Sequence, residues 1–504
     1  MNNKKTLLAC IISCLILTTL FIRESFGLNL LIYESLLLTL FVISKTICFQ
    51  NKLQITISIG VAITALSTIL TNSILSILIN LFSLALFIGI IIYPKAHSLI
   101  TAMLLSAHSF YNSQLKFIRA LFDFIFGESK IGSIISRARI FIIPIPIIII
   151  FFGLYSASNP YFTEAFQNIF DLIENTLNYL IGVIDFQLVF TFLASLVLSN
   201  FIFFRVAKQN IIASDAVATD DLKRVKLISR NLFKLNNLKN EYKSAVFLTL
   251  CLNSILLVLN IIDINSVWFN FSWQGQYLKE FVHEGTYLLI ISIVISILLV
   301  LRFFRGNLNF YSNNKLLKIL CYLWLFQNGI LAISVGVRNF WYIHYFSLAS
   351  KRIAVIVFLL LTLFGLYSVF IKVLNRKSLF YITKTNTYAC YIMIVFCSMF
   401  NWDNIIANYN FKNSNKAFLH FDYMVTLSDN SLPYLDKSLS ELQNIEMNQK
   451  INFPFEQKYM STTKYHEIIE HRKLKFKKKW EAKGILSWNL PEYLAYKKLF
   501  EKKN

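Results

Sequence analysis

The sequence predicts an all-α fold, a polytopic transmembrane helical bundle of about 11 spans (range about 10–12) with a small helical C-terminal domain outside the membrane. The first observation is composition: 56% of the 504 residues are hydrophobic, 15% are charged, and the mean hydropathy is +0.57. Soluble proteins do not reach these values. The second is that several Ile/Leu/Phe runs approach the ~20 residues that cross a hydrocarbon core.

The apolar runs define eleven candidate spans. They lie at 6–22, 28–44, 53–70, 74–93, 138–157, 186–204, 244–263, 286–301, 316–336, 353–371 and 378–399. We interpret the first run as a retained helix, since no small-residue cleavage site follows it. The seven cysteines lie in or beside apolar runs without the spacing of metal ligands. They are interpreted as packing residues, and no metal or cofactor is predicted.

The distribution of Lys and Arg predicts the orientation of the spans. With the N-terminus in the cytoplasm, 27 basic residues fall in inner segments and 5 in outer segments before residue 400. The side of the tail depends on the eleventh span, whose polar patch contains Lys384. Because a Lys side chain can snorkel to the inner interface, we expect this segment to cross and the tail to lie outside. The alternative is a re-entrant segment with the tail inside.

Four regions follow from this pattern. Residues 1–93 hold four spans, and 94–137 form an interfacial cytoplasmic segment with an amphipathic helix in 96–126. Residues 138–400 form the transmembrane core with a basic cytoplasmic loop at 205–243, and 401–504 form the Lys-rich tail. A net charge of +22 could indicate nucleic-acid binding, but position matters more than total charge in a membrane protein. The expected partners are membrane lipids and an envelope protein, not nucleic acid; oligomeric state is not predicted.

Three residues inside the spans are candidate functional positions. Glu34 is a carboxylate within the second span, where it is expected either to relay protons or to be protonated or paired. Pro144 and Pro146 each remove a backbone donor from the fifth span. They predict a kink or local unwinding there.

Polar residues also gather at the outer ends of spans eight to eleven. His283 and Glu284 precede the eighth span, but Tyr287 stands where a zinc protease motif needs histidine. Glu284 could simply favour a helix N-terminus. We instead expect it to pair with Arg338, with His344 or Asp403 approaching the same spot. These five side chains form the candidate outer-face polar cluster: His283, Glu284, Arg338, His344 and Asp403.

Four stretches of the chain resemble a known family as a set. They are "NPYF", "FVHEGTYLLIISI", "LWLFQNGILAISVGVRNFWYIHYFSLASKRIAV" and "NWDNIIANYNF" followed by "LDKSLSELQ". Together they resemble the bacterial polytopic membrane proteins of the domain-of-unknown-function 4153 and 4173 families, over roughly 135–440. The resemblance implies a bacterial inner-membrane protein with an extramembrane C-terminal segment. It implies no activity and no catalytic residues.

Three functions remain open. The first is an envelope interaction or signalling component that acts through its outer face and tail, since no catalytic constellation is visible. The second is a transporter or flippase for a small or lipid-linked substrate, which Glu34 and a kinked fifth span would serve. The third is a membrane-embedded envelope transferase using outer carboxylates such as Glu284 and Asp403.

The orientation can be measured with reporter fusions. Alkaline phosphatase fused after residue 411 is expected to be active in a bacterial host, and a fluorescent protein fused there is expected to be dark, because the positive-inside distribution places this point outside. The opposite pair of results would place the tail inside and make segment 378–399 re-entrant.

Overall fold

The structure is a computed structural model that describes residues 3–46, 51–126, 144–158, 160–167, 171, 185–224, 232–271, 276–453 and 460–501. Within these ranges the chain is predominantly helical, and the only β-type pairing is an isolated bridge between Asp221 and Lys377. The predicted all-α class is confirmed. In the same ranges, eight helices are long and apolar enough to span a membrane.

Six helices share the first hydrophobic core, here called the first bundle. They are α1 (Asn3–Phe21), α2 (Leu28–Ile43), α3 (Lys52–Thr71), α4 (Ile74–Ile92), α5 (Leu99–Phe126) and α8 (Phe186–Phe203). Two further helices, α6 (Pro144–Ser158) and α7 (Pro160–Ala165), lie between α5 and α8 in the chain. Local sequence sets the α3–α4 hairpin: Asn72 ends α3 in the left-handed conformation, and Ser73 begins α4 with a reciprocal capping box to Ser76.

Four further helices share a separate core and form the second bundle. After the short α9 (Gln209–Val217), they are α10 (Leu232–Asp263), α11 (Gln276–Phe303), α12 (Lys315–Phe346) and α13 (Ser350–Asn375). A π-helical turn, Ile264–Phe269, extends α10. The buried Lys372 ammonium donates to the carbonyls of Phe304 and Lys377, at 3.0 and 2.7 Å. It thereby satisfies carbonyls just beyond the ends of two helices, which have no intrahelical partners.

Helix α14 (Leu379–Ser398) packs against both bundles. Tyr391 and Val395 belong to the first core and Ile382 to the second. A bend of 65° separates α14 from α15 (Trp402–Lys412), where the tail begins.

The eight long helices coincide with eight of the eleven predicted spans, and the other three are shorter or bent. The second predicted span is α2, which has 16 residues, and the eleventh predicted span is the bent α14–α15 pair. The fifth contains α6, of which the described part runs from Pro144 to Ser158. Residues 138–143 lie outside the described residues, so the kink stays a prediction.

The amphipathic segment 96–126 contains α5, which packs against α4 and also contacts α1, α8 and α14. Its buried face is rich in small residues, including Ala102, Ser109 and Ser113. The predicted location of this helix at the cytoplasmic surface stays a prediction.

The tail folds as a small helical domain with its own core. After α15 it contains α16 (Phe421–Met424), α17 (Leu432–Leu435), α18 (Leu439–Asn452), α19 (Thr462–Glu481) and α20 (Leu490–Phe500). Tyr465 is fully buried and donates to the carbonyl of Leu435. The Arg472 guanidinium binds the carbonyls of Val425 and Leu427 and the carboxylate of Asp429.

Close packing of α4 on α5 can be tested at Gly89. A Cβ atom at residue 89 would overlap the backbone carbonyl of Ala102, so Gly89→Ala is expected to lower stability by about 1–3 kcal/mol. Gly329→Ala in α12 is the matched control, since a Cβ there meets nothing within 4 Å and is expected to add up to about 1 kcal/mol through helix propensity. Thermal unfolding in detergent measures both. Equal effects of the two substitutions would contradict the close contact.

Candidate functional site

A large cavity lies between the two bundles. Its volume is about 1260 Å³, more than the 300–1,000 Å³ typical of small-molecule sites. One wall comes from the first bundle, at the start of α3 and the loop before α5, and the other from α13 and α14. The lining residues are Asn51, Lys52, Leu53, residues 94–99, Leu360, Phe364, Lys384, Thr385, Tyr388, Ala389, Ile392, Met393 and Phe396.

Polar and apolar residues separate along the length of this cavity. On α14 the lining runs from Lys384 to Phe396, a helical rise of about 18 Å. Beyond Lys384 and Thr385 this wall is mainly apolar, and Ile392 and Phe396 remain about half exposed. A single leaflet has about half of the ~30 Å hydrocarbon thickness, so the cavity has the length of one leaflet.

The polar end of the cavity has a fixed rim. Asn51 caps α3 by accepting from the Leu53 amide, and its own amide donates to the carbonyls of Pro94 and Ala96. This pair of bonds holds the loop 94–98 against the start of α3. Lys52 and Lys95 stand on this rim, both exposed.

The segment from Asp215 to Leu222, here called the strap, connects the two walls at the polar end. On the first wall, Asp215 accepts from the His97 amide at 2.9 Å and the Thr101 hydroxyl at 2.5 Å. On the α14 wall, Asp220 binds the Lys384 ammonium at 3.0 Å. Asp221 likewise pairs with Lys377 at 2.6 Å. The strap therefore joins the two bundles beside the lysines.

Arg338, predicted to pair with Glu284, forms an ion pair with Asp263. Both side chains are buried, and the Ser334 hydroxyl donates to the second Asp263 oxygen at 2.5 Å. Gly285 at the facing turn of α11 approaches the Arg338 guanidinium, because a Cβ there would lie 3.3 Å from Nη1. The side chains of His283 and Glu284 lie outside the described residues, so the Glu284 contact stays a prediction.

His344 and Asp403 have partners of their own. His344 is exposed on α12 and packs against the rings of Trp341 and Tyr345. Asp403 is in the first turn of α15 and accepts from the backbone amide of Ser428 at 3.0 Å. Asp403 therefore holds a turn of the tail domain.

Glu34 is buried among polar side chains of the first bundle. Its Oε2 accepts from the Asn80 amide at 3.0 Å, and the same amide group lies 3.3 Å from the Thr64 hydroxyl. Lys and Arg form no ion pair with it within the described residues. Glu34 is thus a buried carboxyl group hydrogen-bonded to a neutral amide, and its role, proton relay or a paired or protonated structural residue, stays a prediction.

Sequence reasoning missed Asp263 and the cavity for different reasons. Asp263 ends the seventh apolar run, so it is recognisable in the sequence as a carboxylate within a span, as Glu34 is. The cavity combines residues 51–53 and 94–99 with residues of α13 and α14, and no local pattern indicates that these segments meet. The described residues contain no group of three or more His, Cys, Asp or Glu side chains that could hold a metal ion.

Fold and site define a polytopic helical membrane protein with a cavity between its two bundles and a folded tail domain. Residues 55–438, more than half of the chain, match the family described as Domain of unknown function (DUF4153). The chain belongs to this family, which confirms the resemblance found in the sequence. No match was found among curated proteins or solved structures.

The Asp263–Arg338 pair can be tested by a double-mutant cycle. Asp263→Asn or Arg338→Gln alone is expected to cost about 3–5 kcal/mol of stability, because each removes one charge of a buried ion pair. The double variant should cost less than the sum. Thermal unfolding in detergent measures the coupling, and additive losses would contradict it. The same cycle with Glu284→Gln and Arg338→Gln tests the expected Glu284 contact.

Proposed function

We propose that this chain binds a membrane lipid or lipid-linked molecule in the cavity between its bundles, as a transporter, flippase or lipid-binding component does. The observation that carries the proposal is the cavity itself: about 1260 Å³, with apolar walls the length of one leaflet and a polar end. A water-soluble substrate would leave the half-exposed apolar side chains of Ile392 and Phe396 uncovered. An acyl chain would cover them and gain about 0.8 kcal/mol for each buried CH₂ group.

We also propose a bacterial inner-membrane location, with the N-terminus in the cytoplasm and the tail outside. The structure gives this orientation a second support. The tail touches loops that the charge distribution assigns to the outside: Trp488 accepts from the Leu28 amide, and the Phe418 amide donates to Tyr345. The cavity's polar end and strap contain loops that the same distribution assigns to the inside.

The interaction or signalling function is a second candidate, favoured by the way the tail is attached. Ser487 binds the Glu24 carboxylate between α1 and α2, and Asn410 exchanges two hydrogen bonds with Leu348 between α12 and α13. The tail domain thus contacts loops of both bundles. A movement of one bundle relative to the other would therefore displace parts of this domain. An envelope protein bound to the domain would then respond to that displacement.

The lipid-binding proposal can be tested by filling the cavity. Ala389→Trp places an indole on the cavity wall and is expected to remove at least one lipid molecule that the purified wild-type chain retains, because the two compete for one volume. The neighbouring exposed residue supplies the control: Cys390→Trp does not face the cavity and should retain that lipid. Native mass spectrometry after extraction in mild detergent counts bound lipids.

Ile392→Trp, on the same wall, is a second cavity-filling variant, so the test does not depend on the folding of Ala389→Trp alone. Both cavity variants should elute and unfold like Cys390→Trp. A wild-type chain that carries no lipid, or folded cavity variants that carry as much as the control, would contradict the proposed function.

A further inference from the structure

We propose that the cavity's ligand is a phospholipid with an anionic head group, bound by Lys52, Lys95 and Lys384, and that Asp220 competes with its phosphate for Lys384. The inference rests on the proposed function and names the chemical class of its ligand. It comes from how charge is arranged at the polar end of the cavity.

Three lysines line one end of a cavity that is otherwise mainly apolar. Lys52 and Lys95 are exposed, and neither forms an ion pair with any residue that the structure describes. Each therefore offers a full positive charge to a ligand. Near a membrane surface, one lysine contributes about a fivefold gain in affinity for an anionic lipid.

Lys384 differs because it already has a carboxylate partner. Its ammonium lies 3.0 and 3.2 Å from the two Asp220 oxygens. The Lys384 side chain is 38% exposed and the Asp220 side chain 41%. An ion pair this exposed is weak, because solvent screens the attraction between its charges. A phosphate reaching the cavity's end can therefore exchange with Asp220 at Lys384.

The strap can survive this exchange. The backbone of Asp220 accepts from the Ser378 amide at 2.8 Å, and the Leu222 amide donates to the Arg376 carbonyl at 2.9 Å. Neither bond uses the Asp220 side chain. Removing its charge should therefore change lipid affinity without detaching the strap from α14.

The position of the lysines favours a lipid over a free anion. Phe396, the last lining residue of α14, lies about 18 Å along the helix from Lys384, and Tyr388 and Ile392 lie between them. A head group at the lysines thus places its acyl chains along these side chains. A free phosphate would leave this apolar wall uncovered.

The test compares two phospholipids with identical acyl chains, phosphatidylglycerol and phosphatidylcholine, on the full purified chain. Native mass spectrometry in a nonionic detergent measures the affinity of each. Wild type is expected to prefer phosphatidylglycerol. The variant Lys52→Gln/Lys95→Gln should lose about 25-fold in affinity for phosphatidylglycerol and little for phosphatidylcholine.

Two further variants complete the design. Lys351→Gln/Lys416→Gln removes two exposed lysines that do not line the cavity, and it should leave both affinities unchanged. Asp220→Asn should bind phosphatidylglycerol about fivefold more tightly, because Lys384 no longer has a competing carboxylate.

The outcomes separate the two proposals. If neither lipid binds, the proposed function is wrong. If both bind equally to wild type, the cavity binds lipids but the anionic head group is wrong. An unchanged affinity in Asp220→Asn would overturn the competition at Lys384, and an equal loss in the control pair would overturn the assignment of Lys52 and Lys95.

Discussion

The packing of α14 between the two bundles is the contact on which the cavity, the strap and the position of the tail depend. Tyr391 enters the first core beside Gly60, where a larger residue would overlap its hydroxyl, and Tyr388 hydrogen-bonds Thr56 at 2.5 Å. On the other side, Asn386 donates to the Ser368 hydroxyl of α13 at 2.8 Å. Because polar side chains make contacts on both sides, α14 holds the bundles at a separation that leaves space for a ligand.

The polar patch of α14 can be explained in the same way. Polar side chains in a membrane helix are costly unless another helix or loop satisfies them. Asn386 reaches α13, while Lys384 reaches Asp220 on the strap. The polar groups of the eleventh span are therefore the groups that attach it to its neighbours.

Burial separates two kinds of ion pair in this protein. Asp263 and Arg338 are 4% and 6% exposed, so breaking their pair would strand a charge in a low-dielectric interior. Asp220 and Lys384 are 41% and 38% exposed, so water and salt weaken their attraction. The first pair is suited to locking α10 to α12, and the second is suited to exchange with a charged ligand.

The sequence by itself determined the fold class, the family and the position of most spans. Hydrophobic run length and charge at each run's ends are local properties, and the hydrocarbon core forces such runs into helices because backbone groups must be paired internally. It also identified Glu34 as a carboxylate inside a span and Arg338 as a polar residue at the outer face. It did not determine that Arg338 pairs with Asp263, 75 residues earlier, or that residues 51–53 and 94–99 face α13 and α14 across a cavity. Those contacts depend on which helices become neighbours, and interhelical packing decides this through side-chain shapes that no run of apolar residues specifies.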